Sequence, residues 1–136
     1  RTPAQIRPDG LILCYPVITG GEYAHVNSFK RLLGDDVTQE QRDAVSLENF
    51  VTEQTPRAFI WHTYTDENVP VENSLLLAAA MKRKNVNFEL HIYPTGGHGL
   101  SLADEETAGN GFQVVEQCQS WIPLVKMWLK HFEASC

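Results

Sequence analysis

Arg57-Ala58-Phe59-Ile60-Trp61-His62, the loop Thr63-Tyr64-Thr65-Asp66-Glu67-Asn68-Val69-Pro70 and, one helix later, Asn87-Phe88-Glu89-Leu90-His91-Ile92-Tyr93 decide how this chain folds. The first run is apolar and follows the breaker Thr55-Pro56, which predicts a strand. The last alternates in character and is closed by Pro94, which predicts another. Between them, Val71 to Lys84 reads as a helix. Leu75, Leu76, Ala79 and Ala80 stand at helical spacing as one apolar face. Glu72 near its start and Lys82, Arg83 and Lys84 near its end suit the helix dipole. Strand, helix and strand in that order predict a parallel pair.

Upstream, Leu11-Ile12-Leu13-Cys14-Tyr15 follows a Pro8-Asp9-Gly10 turn and reads as a strand buried on both faces, ended by Pro16. A long connection follows, through Gly20-Gly21 and Ser28 to Gly34. Thr38-Gln39-Glu40-Gln41 has the form of a capping box that opens a short helix to about Val45. Leu47 to Val51 adds a further turn. Downstream, Asp104 to Cys118 is polar and reads as loop. A last helix, with Ser120 as its N-cap, carries the stripe Trp121, Leu124, Val125, Trp128, Leu129 and Phe132, which must dock on something. The expected architecture is α/β: a parallel sheet of about three strands covered by helices, in one domain spanning residues 1–136. Three strands leave sheet edges and faces in need of cover.

The chain has 136 residues, of which 43% are apolar and 21% charged, with a net charge of −6 and its charges interspersed. No basic stripe points to a nucleic acid. No apolar run approaches the roughly 18 residues of a membrane span. No signal-peptide pattern follows Arg1-Thr2-Pro3, which favours the cytoplasm, although a processed, secreted parent would look the same. The absent initiator methionine makes a non-native start the expectation. The three cysteines, Cys14, Cys118 and Cys136, are too sparse for a disulfide framework and show no zinc spacing; Cys14 reads as a small hydrophobe.

Two residues carry the chemistry. Asp66 follows one strand, and His98, in Gly96-Gly97-His98-Gly99, follows the next. Reactive groups of open parallel sheets gather beyond the carboxyl ends of the strands, where both fall. An aspartate can fix the tautomer of a histidine and leave its other nitrogen free to take a proton. Alone, His98 could merely cap a turn and Asp66 could serve a helix entry; their order and setting together favour chemistry. His62 reads as packed or hydrogen-bonded, and His91 as lying with Glu89 on one sheet face. A metal shared by His91, His98 and Asp66 finds no ligand cluster to support it. Tyr23, His25 and Phe29 could line a pocket or simply pack. Gly20-Gly21 lacks the pattern of a phosphate-binding turn.

From Arg7 to Asp104 the chain resembles the C-terminal half of bacterial α/β-hydrolase-fold esterases. It is most similar to the acetyl esterase and dienelactone-hydrolase-like group that includes acetylxylan esterases. The residues that carry the likeness are Arg7 to Ile18, Trp61-His62-Thr63, Asp66 to Leu75, Phe88 to Pro94 and His98-Gly99-Leu100. The resemblance implies that Asp66 is the triad acid and His98 the triad base. It places Thr65 where the family often has a second acid. The family's nucleophile lies in Gly-x-Ser-x-Gly, ahead of both. None of Ser28, Ser46, Ser74, Ser101, Ser120 or Ser135 has that setting. Ser101, in Gly99-Leu100-Ser101-Leu102-Ala103, follows His98, and no strand runs into it.

The expected function is therefore a serine-type carboxylic ester hydrolase acting on a small ester, an acetylated sugar by resemblance, with no cofactor and no metal. This chain would supply Asp66 and His98 and lack the nucleophile and oxyanion hole, so it should be inactive alone. Expected partners are the N-terminal half of the fold or a second copy of the chain, with no nucleic acid and no membrane. The alternatives are a non-catalytic module that associates through its exposed sheet edge, and a serine peptidase of the same fold.

Overall fold

The computed structural model describes residues 2–133. A short helix α1 (Pro3–Ile6) precedes strand β1 (Gly10–Cys14). Helices α2 (Val26–Leu33) and α3 (Gln39–Asp43) and a 3-10 turn (Leu47–Phe50) lead to β2 (Arg57–Thr63). Helix α4 (Glu72–Arg83) connects β2 to β3 (Phe88–Tyr93), and two 3-10 turns (Gly111–Gln113 and Glu116–Ser120) precede helix α5 (Trp121–Glu133). The sheet order is β1-β2-β3, and both pairings are parallel. All three carboxyl ends therefore lie along one rim, and the loops after β2 and β3 meet there.

Strand β2 is the spine. Ala58, Phe59, Ile60 and Trp61 are wholly buried, because the strand is covered on both faces. Strand alternation divides them. Ala58 and Ile60 pack with Leu77, Ala80 and Met81 of α4, whereas Phe59 and Trp61 pack with Leu100, Cys118, Val125 and Trp128 on the α5 side. Burial of each such large side chain contributes about 1.5–3 kcal/mol. The apolar stripe of α5 docks on the sheet through Val125 and Trp128, while Leu129 stays exposed. The side chain of Phe132, together with Ser135 and Cys136, lies outside the described residues.

Several expectations change. Val26–Leu33, read as connection, is a helix. It has no side-chain N-cap bond, so the usual start signal is missing, and only Phe29 is buried. Thr38 does form the capping box: its hydroxyl accepts from the Gln41 N–H at 3.2 Å, and the Gln41 carboxamide oxygen accepts from the Thr38 N–H at 2.9 Å. The face that α4 buries is not the one built on Leu75 and Leu76, which are 44% and 36% exposed. Asn73, Ser74, Leu77, Ala78, Ala80 and Met81 are buried instead, because two polar residues near the helix start have bonds to make inside. Ser120 does not cap α5. It ends the preceding 3-10 turn, where its hydroxyl donates to the Gln117 carbonyl at 2.8 Å. The segment read as loop before it therefore winds directly into the helix.

Candidate active site

Asp66 sits in the tight turn that leaves β2 and has a fully buried side chain. Its Oδ1 accepts the backbone N–H groups of Asn68 (3.0 Å) and Val69 (2.9 Å), an Asx-type turn that fixes one side of the carboxylate. Oδ2 accepts from His98 Nδ1 at 2.7 Å. The structure thus brings together the two residues that the sequence singled out, 32 positions apart. Since Nδ1 carries the proton toward Asp66, the Nε2 lone pair of His98 is free. The imidazole is 31% exposed, and among the described residues nothing bonds Nε2. The ring thus has one nitrogen held by a buried carboxylate and the other open.

Burial pushes the Asp66 carboxyl up, but hydrogen bonds from His62, the Val69 N–H and His98 more than offset it and hold the group at about 2, against an ordinary 3.8. A carboxylate depressed in the folded state stabilises the fold above its unfolded value, and that contribution is lost as pH falls through the folded value. For Asp66 it is worth about 2 kcal/mol, fully present above roughly pH 4 and gone below roughly pH 2. We expect the urea midpoint of the wild-type chain to fall across that window more steeply than that of Asp66→Asn; parallel profiles would contradict this assignment.

The His98 loop is shaped by several neighbours. Gly96 has φ +143°, and a Cβ there would come within 2.8 Å of both Leu100 and Thr63, so only glycine fits. Ser101 and Ala103 also take positive φ, of 54° and 58°. Thr65 ties the two loops reciprocally, its hydroxyl accepting from the Gly96 N–H at 2.9 Å and donating to the Gly96 carbonyl at 3.0 Å. Thr63 adds a bond to the same carbonyl at 2.9 Å. Thr65 is a latch between the two loops.

Tyr15, directly after β1, has φ +40°, a conformation that costs a non-glycine residue energy. Its ring meets Trp61 and His98 edge-to-face, with centroids 5.1 and 5.0 Å away, and its hydroxyl accepts from the Ser101 N–H at 3.2 Å. It braces the His98 ring. Asn73 is a second residue that sequence reasoning missed. Its Oδ1 accepts the N–H groups of Ile18 and Thr19, both at 2.9 Å, and its amide donates to the carbonyls of Tyr23 and Pro70. One buried amide thereby holds the loop after β1 beside the Asp66 turn. The positive φ of Tyr15 leaves no trace in composition, and Asn73 reads as an ordinary helix residue.

His91, Tyr23, His25 and Phe29 make no hydrogen bond to this pair among the described residues. His91 Nε2 lies 2.7 Å from a Glu89 carboxylate oxygen, and its ring packs on Phe59, so it does not join Asp66. Among the described residues no group of three His, Cys, Asp or Glu side chains could hold a metal. Phe29 is buried, His25 Nδ1 lies 2.8 Å from the Ser28 hydroxyl, and Tyr23 is 37% exposed. Cys14 is part-buried, and burial raises its thiol, as it raises that of Cys118 to about 11; neither thiol is poised as a nucleophile.

Endo-1,4-beta-xylanase B of Butyrivibrio fibrisolvens is 49% identical to this chain over 100 residues, covering 74% of the chain and 16% of that protein. Acetylxylan esterase of Xylanibacter ruminicola is 34% identical over 106 residues, covering 74% of the chain and 22% of that protein. The crystal structure of an acetyl ester-xyloside bifunctional hydrolase from Caldicellulosiruptor lactoaceticus superposes with a TM-score of 0.69 at 44% identity, covering 88% of this chain and 43% of that one. The chain spans less than half the length of each of these relatives. Residues 22–122 match the prolyl oligopeptidase family, a stretch that includes both Asp66 and His98. The chain belongs to that family and carries part of an α/β-hydrolase fold.

Proposed function

We propose that this chain supplies the acid and the base of a serine-type ester hydrolase that removes small acyl groups, acetyl in particular, from carbohydrate. The observation that carries this reading is the 2.7 Å bond from His98 Nδ1 to a buried Asp66, which leaves Nε2 open. In this mechanism Asp66 orients His98, and His98 Nε2 takes the proton of a serine hydroxyl as that oxygen attacks the ester carbonyl. The same proton then goes to the departing alcohol. Water, activated by His98, next hydrolyses the acyl-enzyme. No cofactor or metal enters these steps.

The serine belongs to a segment on the N-terminal side of Arg1 that completes the sheet. Two features of β1 support this. Its outer edge is unpaired among the described residues, and Ile12 on it is 45% exposed. An apolar cleft of about 290 Å³ also opens beside it, lined by Leu11, Leu13, Val17, Leu47 and Phe50 among others. The relatives named for acetyl esters and for xylan support the substrate class.

The family match favours a second reading, hydrolysis of peptides by the same pair. The discriminating experiment uses the chain extended at its N-terminus by the segment that carries Gly-x-Ser-x-Gly. Acetylated xylo-oligosaccharide and a dipeptide anilide are compared by kcat/KM. Preference for the acetyl ester is expected, and preference for the anilide would transfer the assignment to a peptidase. The 136-residue chain alone is expected to turn over p-nitrophenyl acetate no faster than its His98→Ala variant.

A further inference from the structure

A second histidine stands behind the carboxylate. His62 is the penultimate residue of β2 and is wholly buried. Both ring nitrogens are engaged. Nε2 lies 2.9 Å from the Val69 carbonyl and 3.3 Å from Asp66 Oδ2, and Nδ1 lies 2.7 Å from the Ser74 hydroxyl. A carbonyl can only accept, so the proton is on Nε2, and the Ser74 hydroxyl donates to Nδ1. The Nε2–H is directed at the Val69 carbonyl, and Asp66 Oδ2, the oxygen that also receives His98, lies 3.3 Å from the same nitrogen, a contact that lowers the Asp66 carboxyl. Ser74 and Val69 flank the start of α4, which explains why that end of the helix turns polar side chains inward.

We infer that His62 is a positioning residue for Asp66, its Nε2–H holding Oδ2 in the plane from which the carboxylate meets His98. This rests on the reading of Asp66 and His98 as acid and base. The two backbone donors fix only Oδ1. Without His62, the inner side of Oδ2 would face a buried space with no donor, an arrangement that costs energy and favours rotation of the carboxylate. The titratable groups that face Asp66 are His62 from β2, His98 from the loop after β3, and Tyr15 from the end of β1. Of these, only His62 is fully enclosed.

The test is NMR on the 136-residue chain, with His62→Phe and His62→Gln beside the wild type. In the wild type the Asp66 carboxyl titrates at about 2. In His62→Phe it is expected to rise by about one unit or more, roughly tenfold in its acid constant. The His98 Nδ1–H resonance should broaden through exchange. In His62→Gln an amide N–H can reach the same oxygens, so both signals should largely recover. A purely packing role predicts instead that the Asp66 titration does not move in either variant, and that result overturns the inference. If His62→Phe does not fold, the wild-type 15N spectrum decides: His62 protonated on Nε2 at neutral pH is required, and protonation on Nδ1 alone refutes the role. A wild-type chain with no His98 Nδ1–H bonded to Asp66 would contradict the acid–base reading itself. That bond present, with an unmoved Asp66 in a folded His62→Phe, would remove only His62.

Discussion

In the N-terminally extended hydrolase, His98→Ala is expected to lower kcat for an acetyl ester by about 10⁶-fold while leaving KM within a few-fold. The size follows from the role. A neutral serine hydroxyl is a poor nucleophile, and its activation depends on a base within hydrogen-bond reach. His98 Nε2 is the open nitrogen at this rim, and the rest of its ring is held by Asp66 at 2.7 Å and by the edge of Tyr15. Neither His62 nor His91 can stand in. His62 is enclosed with both nitrogens engaged, and His91 is turned to Glu89. The fold should survive the substitution, because His98 is part-exposed and the loop keeps its ties through Gly96. A loss below about tenfold, with the variant folded, would contradict the assignment of His98 as base.

Asp66→Asn is expected to cost about 10⁴-fold in kcat. The substitution preserves shape but reverses the logic of the bond. If the asparagine keeps its oxygen toward the Asn68 and Val69 N–H groups, its NH₂ faces His98 and His62. Both rings then meet a donor where each had an acceptor. His98 is driven to carry its proton on Nε2, where it cannot accept one from serine. The same change removes a buried negative charge that would stabilise the imidazolium formed during attack. Kinetics and the 15N spectrum of His98 should therefore change together. Full activity in Asp66→Asn, with the Nδ1–H tautomer retained, would show that another group orients the imidazole.

The parts of this molecule that alternate or repeat were readable from its sequence. The apolar middle of β2, the alternating β3 and the stripe on α5 each announce the environment that they fill, and parallel pairing follows from the helix between strands. The meeting of Asp66 and His98 was readable because each lies in a loop that leaves a parallel strand and one lies among glycines. Other features depend on tertiary contacts that no local pattern encodes. The buried face of α4 is set by what Asn73 and Ser74 bond to across the fold, so counting leucines selected the wrong side. The α2 helix lacks a side-chain capping bond, so the usual start signal is missing although its residues are amphipathic at helical spacing. The brace from Tyr15 depends on a positive φ that its residue type does not favour. Thr65 gave no local sign of its role, because that role is a reciprocal bond to a backbone 31 residues away.

Treating the extended hydrolase with a fluorophosphonate and mapping the adduct by mass spectrometry tests most directly where the nucleophile lies. The label is expected on a serine N-terminal to Arg1, flanked by glycines, and its formation should be lost in His98→Ala. An adduct on a serine between residues 1 and 136, Ser101 beside His98 above all, would contradict the proposal that the group activated by this imidazole lies outside the chain.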